Sequence, residues 1–210
     1  MKKKILLIAA THGDEKIGLG IINKLRNKKL DKYFDYLIAN PKALNKKLRF
    51  IDVDLNRSYP GKKNSFYYEQ KRAYYNLLFA KKYLYVIDIH EASQGINDLI
   101  IVPKKSLPKL FPLNLIDLGI VLLWPNPKGP LSQVIDNAIE LEFGMKNRKR
   151  NEAVLNAEKI VENFIRYIYK IKKQEQPILK KIYYVYGKLM LPKVNGDSSP
   201  LVDFKKNKNK

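Results

Sequence analysis

The sequence predicts an α/β domain: a three-layer sandwich with a mostly parallel mixed sheet, helices on both faces and a short C-terminal β appendage. Three observations carry that prediction. Apolar runs of strand length alternate with segments of helical period, the pattern of β–α–β units. Several runs are apolar at consecutive positions rather than at every second one, as strands buried on both faces must be. The 210 residues are 45% hydrophobic, the ordinary globular level, which suits one domain with a sizeable core.

The first apolar run, residues 4–10, ends in the polar turn Thr11-His12-Gly13-Asp14-Glu15. Ile17, Ile21, Ile22 and Leu25 then recur at helical spacing to about Lys29. Residues 33–40 read as a second strand, stopped by Pro41. Residues 42–64 contain Pro60-Gly61 and no period, so a long irregular segment is expected. A helix follows over 65–82, with Phe66, Ala73, Leu77 and Leu78 among its apolar positions. Residues 83–89 form another buried run, ending at His90. Short strands are expected over 98–102, 119–123 and 138–143, the last ended by Gly144. The clearest helix runs from Glu152 to about Lys172, with Val154, Ile160, Val161, Phe164 and Ile168 on one side. Pro177 breaks it, residues 182–191 read as a strand or a hairpin around Gly187, and Lys205 opens a frayed basic tail. No internal repeat occurs.

Composition excludes several classes. With no cysteine, disulfides, iron–sulfur clusters, thiol nucleophiles and cysteine-ligated zinc are ruled out together. No apolar run approaches the roughly 20 residues that span a bilayer. The lysines at positions 2–4 followed by the apolar residues 5–10 imitate a signal peptide but lack its small-residue cleavage site. A cytoplasmic location is therefore expected. The chain carries 41 Lys+Arg against 20 Asp+Glu, a formal net charge of +21. Phosphate neutralisation would make such a surplus a non-specific nucleic-acid binder. However, the lysines are spread along the chain, and the accompanying wealth of Ile, Asn and Tyr shares A/T-rich codons with them. A dispersed basic surface is the preferred reading, and acidic small substrates are compatible with it.

In parallel sheets, ligands bind beyond the carboxyl ends of the strands. His12 and His90, the only two histidines, both stand at such ends, and Glu15 completes an H-x-x-E group with His12. Two imidazoles and a carboxylate with an open fourth position make a catalytic type of zinc site. On the residues alone, a metal site and two unrelated histidines both stay open. Arg49 and Arg57 are two of only seven arginines, and arginine suits bidentate capture of a carboxylate, with Asn56 as a neutral donor beside it. A surface loop with ion pairs to Asp52 or Asp54 is the alternative there. Glu142, at another strand end, would on its own read equally as a partner of Lys146, Arg148 or Lys149.

Taken in order, four motifs recur together: Thr11-His12-Gly13-Asp14-Glu15; Arg49-Phe50-Ile51-Asp52-Val53-Asp54-Leu55-Asn56-Arg57 with Tyr59-Pro60-Gly61; Asp88-Ile89-His90; and Leu141-Glu142-Phe143-Gly144. This succession, spanning residues 11–144, resembles the succinylglutamate desuccinylase/aspartoacylase family, relatives of the zinc carboxypeptidases. The resemblance implies a carboxypeptidase-like fold and one Zn²⁺ per chain, held by His12, Glu15 and His90. It implies Glu142 as general base toward a zinc-activated water and Arg49 as stabiliser of the oxyanion. Asn56 and Arg57 would hold the free carboxylate of a small substrate. Glu91, beside His90, has no counterpart in the family pattern and should diverge from it along an extended chain.

The implied organisation is a zinc carboxypeptidase-like catalytic domain over 1–175, a short β segment over 176–204 and a basic disordered tail over 205–210. The implied activity is hydrolysis of the amide bond of an N-acyl amino acid or a related carboxylate-bearing molecule. Two alternatives are a carboxypeptidase-like peptidase removing a C-terminal residue, and a basic nucleic-acid-associated protein with a vestigial hydrolase core. No membrane and no specific nucleic acid are expected as partners. Family members commonly carry a larger C-terminal β-rich domain, so a more open site is expected here.

Overall fold

The computed structural model describes residues 3–92, 97–104, 106–125, 129–145, 148–173 and 179–185, together with the backbone of 189–190, 200–201 and 205–206. Strand β1 (Ile5–Ala9) is buried along its whole length, as its unbroken apolar run predicts. Helix α1 (Ile17–Asn27), β2 (Phe34–Ile38) and α2 (Pro41–Lys46) follow. A 3₁₀ turn at Leu55–Arg57 precedes α3 (Tyr68–Ala80), β3 (Tyr85–Ala92) and β4 (Leu99–Val102). After a second 3₁₀ turn at Leu113–Leu115 come β5 (Ile120–Leu123), α4 (Leu131–Val134), β6 (Ala138–Gly144) and α5 (Arg150–Ile168). The chain closes with β7 (Lys181–Tyr184), β8 (Leu189–Met190), β9 (Pro200–Leu201) and β10 (Lys205–Lys206).

Eight strands form one sheet in the order β10-β7-β5-β4-β6-β3-β1-β2. The group β2, β1, β3 and β6 is parallel throughout, and so is the group β4, β5 and β7. They meet antiparallel at β4 and β6. The carboxyl ends of β1, β3 and β6 therefore emerge side by side at one edge, where the ends of β4, β5 and β7 do not.

Helices α1 and α5 cover one face of this sheet, burying Ile5, Leu7, Ala9, Ile87, Ile89, Ile139, Leu141 and Phe143. Helix α3 covers the other face through Ala73, Leu77 and Ala80, which pack on Leu6, Ile8 and Val86. The result is the expected three-layer α/β sandwich.

Several local expectations need correction. Residues 42–64 are not irregular throughout, because Asn40 caps α2, accepting the Ala43 N–H at 3.2 Å, and Pro41 occupies its first turn. Helix α3 starts at Tyr68 rather than 65, leaving Phe66 fully exposed. Strand β3 runs on to Ala92, so His90 lies inside a strand rather than just past one. The expected basic tail is not frayed at its first two residues, whose backbone pairs antiparallel with β7, with Lys205 opposite Tyr184. An edge strand whose N–H and C=O groups find a ladder is held despite its charge. Residues 207–210 and Gly187 lie outside the described residues. Among the described residues, no helix is long and apolar enough to cross a membrane.

Candidate metal centre

The site begins where β1 ends. Ala10 has φ 54°, a left-handed conformation that costs an alanine about 1–2 kcal/mol, and it turns the chain sharply into Thr11 and His12. Gly13 runs against α2, and a Cβ there would lie 2.1 Å from the Ala43 carbonyl carbon. Only glycine fits that approach. The Gly13 N–H donates to the Arg49 carbonyl at 3.2 Å, and the Glu15 N–H donates back to the His12 carbonyl at 3.2 Å. His12 and Glu15 are thereby folded onto each other.

Strand alternation supplies the rest. Asp88 and His90 of β3 are in register with Glu140 and Glu142 of β6, and all four point to the α3 face. Glu91 points the opposite way. Its carboxylate accepts the N–H groups of Lys16 and Ile17, each at 3.1 Å, and the Arg150 guanidinium. As expected it diverges from His90, and it anchors the start of α1 rather than facing the site.

Nδ1 of His12 lies 2.6 Å from Glu15 Oε1, and Nδ1 of His90 lies 3.1 Å from Glu15 Oε2. The Glu91 N–H also donates to that Oε2, at 3.2 Å. One ligand atom from each of His12, Glu15 and His90 falls within 4.8 Å of the others. Each imidazole has a carboxylate on its far nitrogen. Asp54 Oδ1 is 3.1 Å from His12 Nε2, and Asp88 Oδ2 is 3.3 Å from His90 Nε2, within ion-pair distance although not aligned as a hydrogen bond. Thr11 Oγ1 donates to both oxygens of Asp88, at 2.9 and 3.1 Å. This leaves Nδ1 of both rings turned toward one point, the orientation that metal-bound histidines take from carboxylate partners.

Electrostatics favours a cation here. Burial disfavours a charge on His90, but Asp88 and Glu15 outweigh it and raise its pKa well above the usual imidazole value. His12 is shifted the same way, with Asp54 and Glu15 overcoming burial. Burial would push Glu15 up, yet the two imidazoles hold it far below the usual carboxylate range. Arg49 adds a guanidinium 3.5 Å from Glu15 Oε1 and 3.6 Å from Asp54 Oδ2. With both imidazoles neutral, as metal ligation requires, three carboxylates (Glu15, Asp54, Asp88) face one guanidinium. The surplus of negative charge suits a cation. The donor set of two nitrogens and one carboxylate fits Zn²⁺.

Glu142 is pushed up to about 7 by burial, opposed by His90 and reinforced by the negative charges of Glu15 and Glu140. A carboxylate at that value accepts and returns a proton near neutral pH. Glu140 is also raised by burial, although Ser132 Oγ donates to it at 2.5 Å and the Asn56 amide reaches it too.

The structure thus brings His12, Glu15, His90, Arg49 and Glu142 together. Asn56 is buried, and its Oδ1 has no hydrogen-bond partner among the described residues. Arg57 is exposed, its Nη1 donating to the Asn56 carbonyl at 2.9 Å. The sequence reading assigned no site role to Asp54, Asp88, Thr11 or Glu140. The period-two spacing of Asp88 and His90 carried the signal for one of them.

A sequence profile of the succinylglutamate desuccinylase/aspartoacylase catalytic domain matches residues 1–168. A probable aspartoacylase of Prochlorococcus marinus subsp. pastoris is 40% identical over 75 residues, 34% of this chain and 25% of that protein. Another, from strain AS9601, is 32% identical over 117 residues, covering 48% and 38% of the two chains. The matched stretches therefore span well under half of those relatives. Among solved structures, succinylglutamate desuccinylase of Chromobacterium violaceum superposes with TM-score 0.71 at 17% identity, over 92% of this chain and 70% of that one. Murine aminoacylase 3 gives TM-score 0.70 at 20% identity, over 93% and 75%. These likenesses show a shared fold. With a profile match across four fifths of its length, the chain belongs to the succinylglutamate desuccinylase/aspartoacylase family.

Proposed function

We propose that this protein is a zinc-dependent amide hydrolase that deacylates an N-acyl amino acid or a similarly small, carboxylate-bearing amide. The observation that carries the reading is the convergence of His12, Glu15 and His90 on one point, with Glu142 in register beside His90 and Arg49 against Glu15. His12 and His90 through Nδ1, and Glu15 through its carboxylate, would hold the metal. Bound there, Zn²⁺ supplies Lewis acidity, acidifying water and polarising the scissile carbonyl.

The chain's own groups do the rest. Glu142 takes the proton of the attacking water and delivers it to the leaving amine. Arg49, with its guanidinium at the mouth of the site, donates to the oxyanion as it develops. Asp54 and Asp88 fix the tautomer and direction of the imidazoles, and Thr11 fixes Asp88. Arg57, exposed on the neighbouring turn, pairs with the substrate's free carboxylate.

The test combines metal analysis with a screen of N-acyl amino acids against short peptides. About one zinc per chain is expected, lost in His12→Ala and in His90→Ala, with turnover on N-acyl amino acids. Full zinc in both variants would overturn the metal site, and turnover confined to peptides would establish a carboxypeptidase instead. Amidating the substrate carboxylate should weaken binding as Arg57→Ala does, whereas Arg49→Ala should lower kcat.

A further inference from the structure

A glutamate on the first turn of a helix ordinarily faces water and offsets the helix dipole. Glu69 of α3 instead has no exposed surface. Its Oε1 accepts the Ile51 N–H at 2.7 Å and the Asn40 Nδ2 at 3.1 Å. Its Oε2 accepts the N–H groups of Asp52 and Val53, at 3.0 and 3.2 Å. Three successive peptide N–H groups thus close around one anion, a nest built from the loop. The loop replies in kind, since Asp52 Oδ2 accepts the Tyr68 N–H at 2.7 Å and satisfies the start of α3. Asn40 is shared as well, because its Oδ1 caps α2 while its Nδ2 serves Glu69.

The two residues flanking this nest face the metal centre. Arg49 stands two positions before Ile51, and Asp54 directly follows Val53. Arg49 approaches Glu15, and Asp54 approaches the far nitrogen of His12. We propose that Glu69 is the positioning residue of the site: by fixing the peptide planes of residues 51–53 from beneath, it sets where the Arg49 guanidinium and the Asp54 carboxylate stand. A single contact between loop and helix would have sufficed for packing. Three consecutive donors on one carboxylate fix the orientation of the segment as well as its distance. The inference rests on the roles given above to Arg49 and Asp54.

Glu69→Gln tests it, because the amide keeps the volume but replaces one acceptor oxygen with a donor that opposes the loop N–H groups. On an N-acyl amino acid, kcat should fall about 10–100-fold with KM changed far less, the scale of an ångström-level misplacement. In an Arg49→Ala background the same change should cost clearly less than it does alone, since only its effect through Asp54 is left. Multiplicative losses in the double variant would overturn the proposal. Independently of activity, hydrogen exchange at residues 51–53 should accelerate by about tenfold or more while β1 and α5 keep their protection. Unchanged exchange would also overturn it. If the unmodified enzyme turns over no N-acyl amino acid, the functional reading fails, and the exchange measurement alone decides whether Glu69 holds this loop. Should Glu69→Gln not fold, Glu69→Asp, which keeps the charge but withdraws it by one methylene, takes the same measurements.

Discussion

The two faces of the central sheet are made by the same strands and differ in kind. Toward α1 and α5, β3 and β6 present Ile87, Ile89, Ile139, Leu141 and Phe143, all sealed from solvent. The aromatic rings of Phe111 and Phe164 stack there at 5.3 Å, and Tyr85 sets an edge against each. Toward α3 the alternate residues are Asp88, His90, Glu140 and Glu142, which follow the apolar Val86 and Ala138 on the same face of the two strands. One face therefore supplies the free energy that holds the strands rigid. The other uses that rigidity to keep ionisable groups close together and largely buried. Precision at the candidate site depends on packing across the sheet from it.

The largest expected effect confines damage to the polar face. Glu142→Gln should lower kcat by about 10²–10⁴-fold, the usual cost of losing a general base, while melting temperature and zinc content stay close to those of the unmodified protein. A variant that kept its activity would remove Glu142 from the reaction. The converse experiment strikes the apolar face. Phe164→Ala should cost about 3–5 kcal/mol in urea unfolding through lost burial and an unfilled cavity. Below its transition the variant should keep its metal, and a metal loss without a stability loss would contradict the division between the faces. A finer cut is Ile139→Val, which removes one methyl group and should cost about 0.5–1.5 kcal/mol.

The smallest effect lies outside both faces. Burial lowers Lys180 to about 8, although its ammonium donates to the carbonyls of Ile116 and Leu118. A lysine depressed on folding opposes the folded state while it is charged, so stability should rise as pH increases from about 8 toward the free-lysine value. Half exposure and screening limit the gain to about 1 kcal/mol or less. Lys180→Met should flatten this slope in unfolding measurements across that range.

The sequence displayed the candidate triad of His12, Glu15 and His90 openly. The chain has only two histidines, each beside an apolar run, and the arginine-bearing segment between them is rich in recognisable spacing. What it concealed were residues whose partners are distant or whose alternation is masked. Asp88 sits in Tyr85-Val86-Ile87-Asp88-Ile89-His90, where apolar neighbours make the segment read as one buried run, and only register with β6 shows which face each residue serves. Glu69 resembles any charged residue of a helix's first turn, and its partners lie 16 to 29 positions away. Helix α2 was legible in principle, because Asn40-Pro41 is a start signal as well as a strand stop.

The strand that carries His90 also carries Glu91 on its reverse, and both engage the loop after β1: His90 at the Glu15 carboxylate, Glu91 at the amides of Lys16 and Ile17. Sliding β3 by one residue against β1 would exchange those two side chains between faces. A carboxylate would then meet the Glu15 carboxylate, and an imidazole, with one acceptor nitrogen, would replace the carboxylate that accepts both backbone N–H groups at the start of α1. In the assembling chain the misaligned pairing is thus penalised on both sides of the sheet at once. His90 and Glu91 thus tie the register of β3 against β1 to the loop that follows β1.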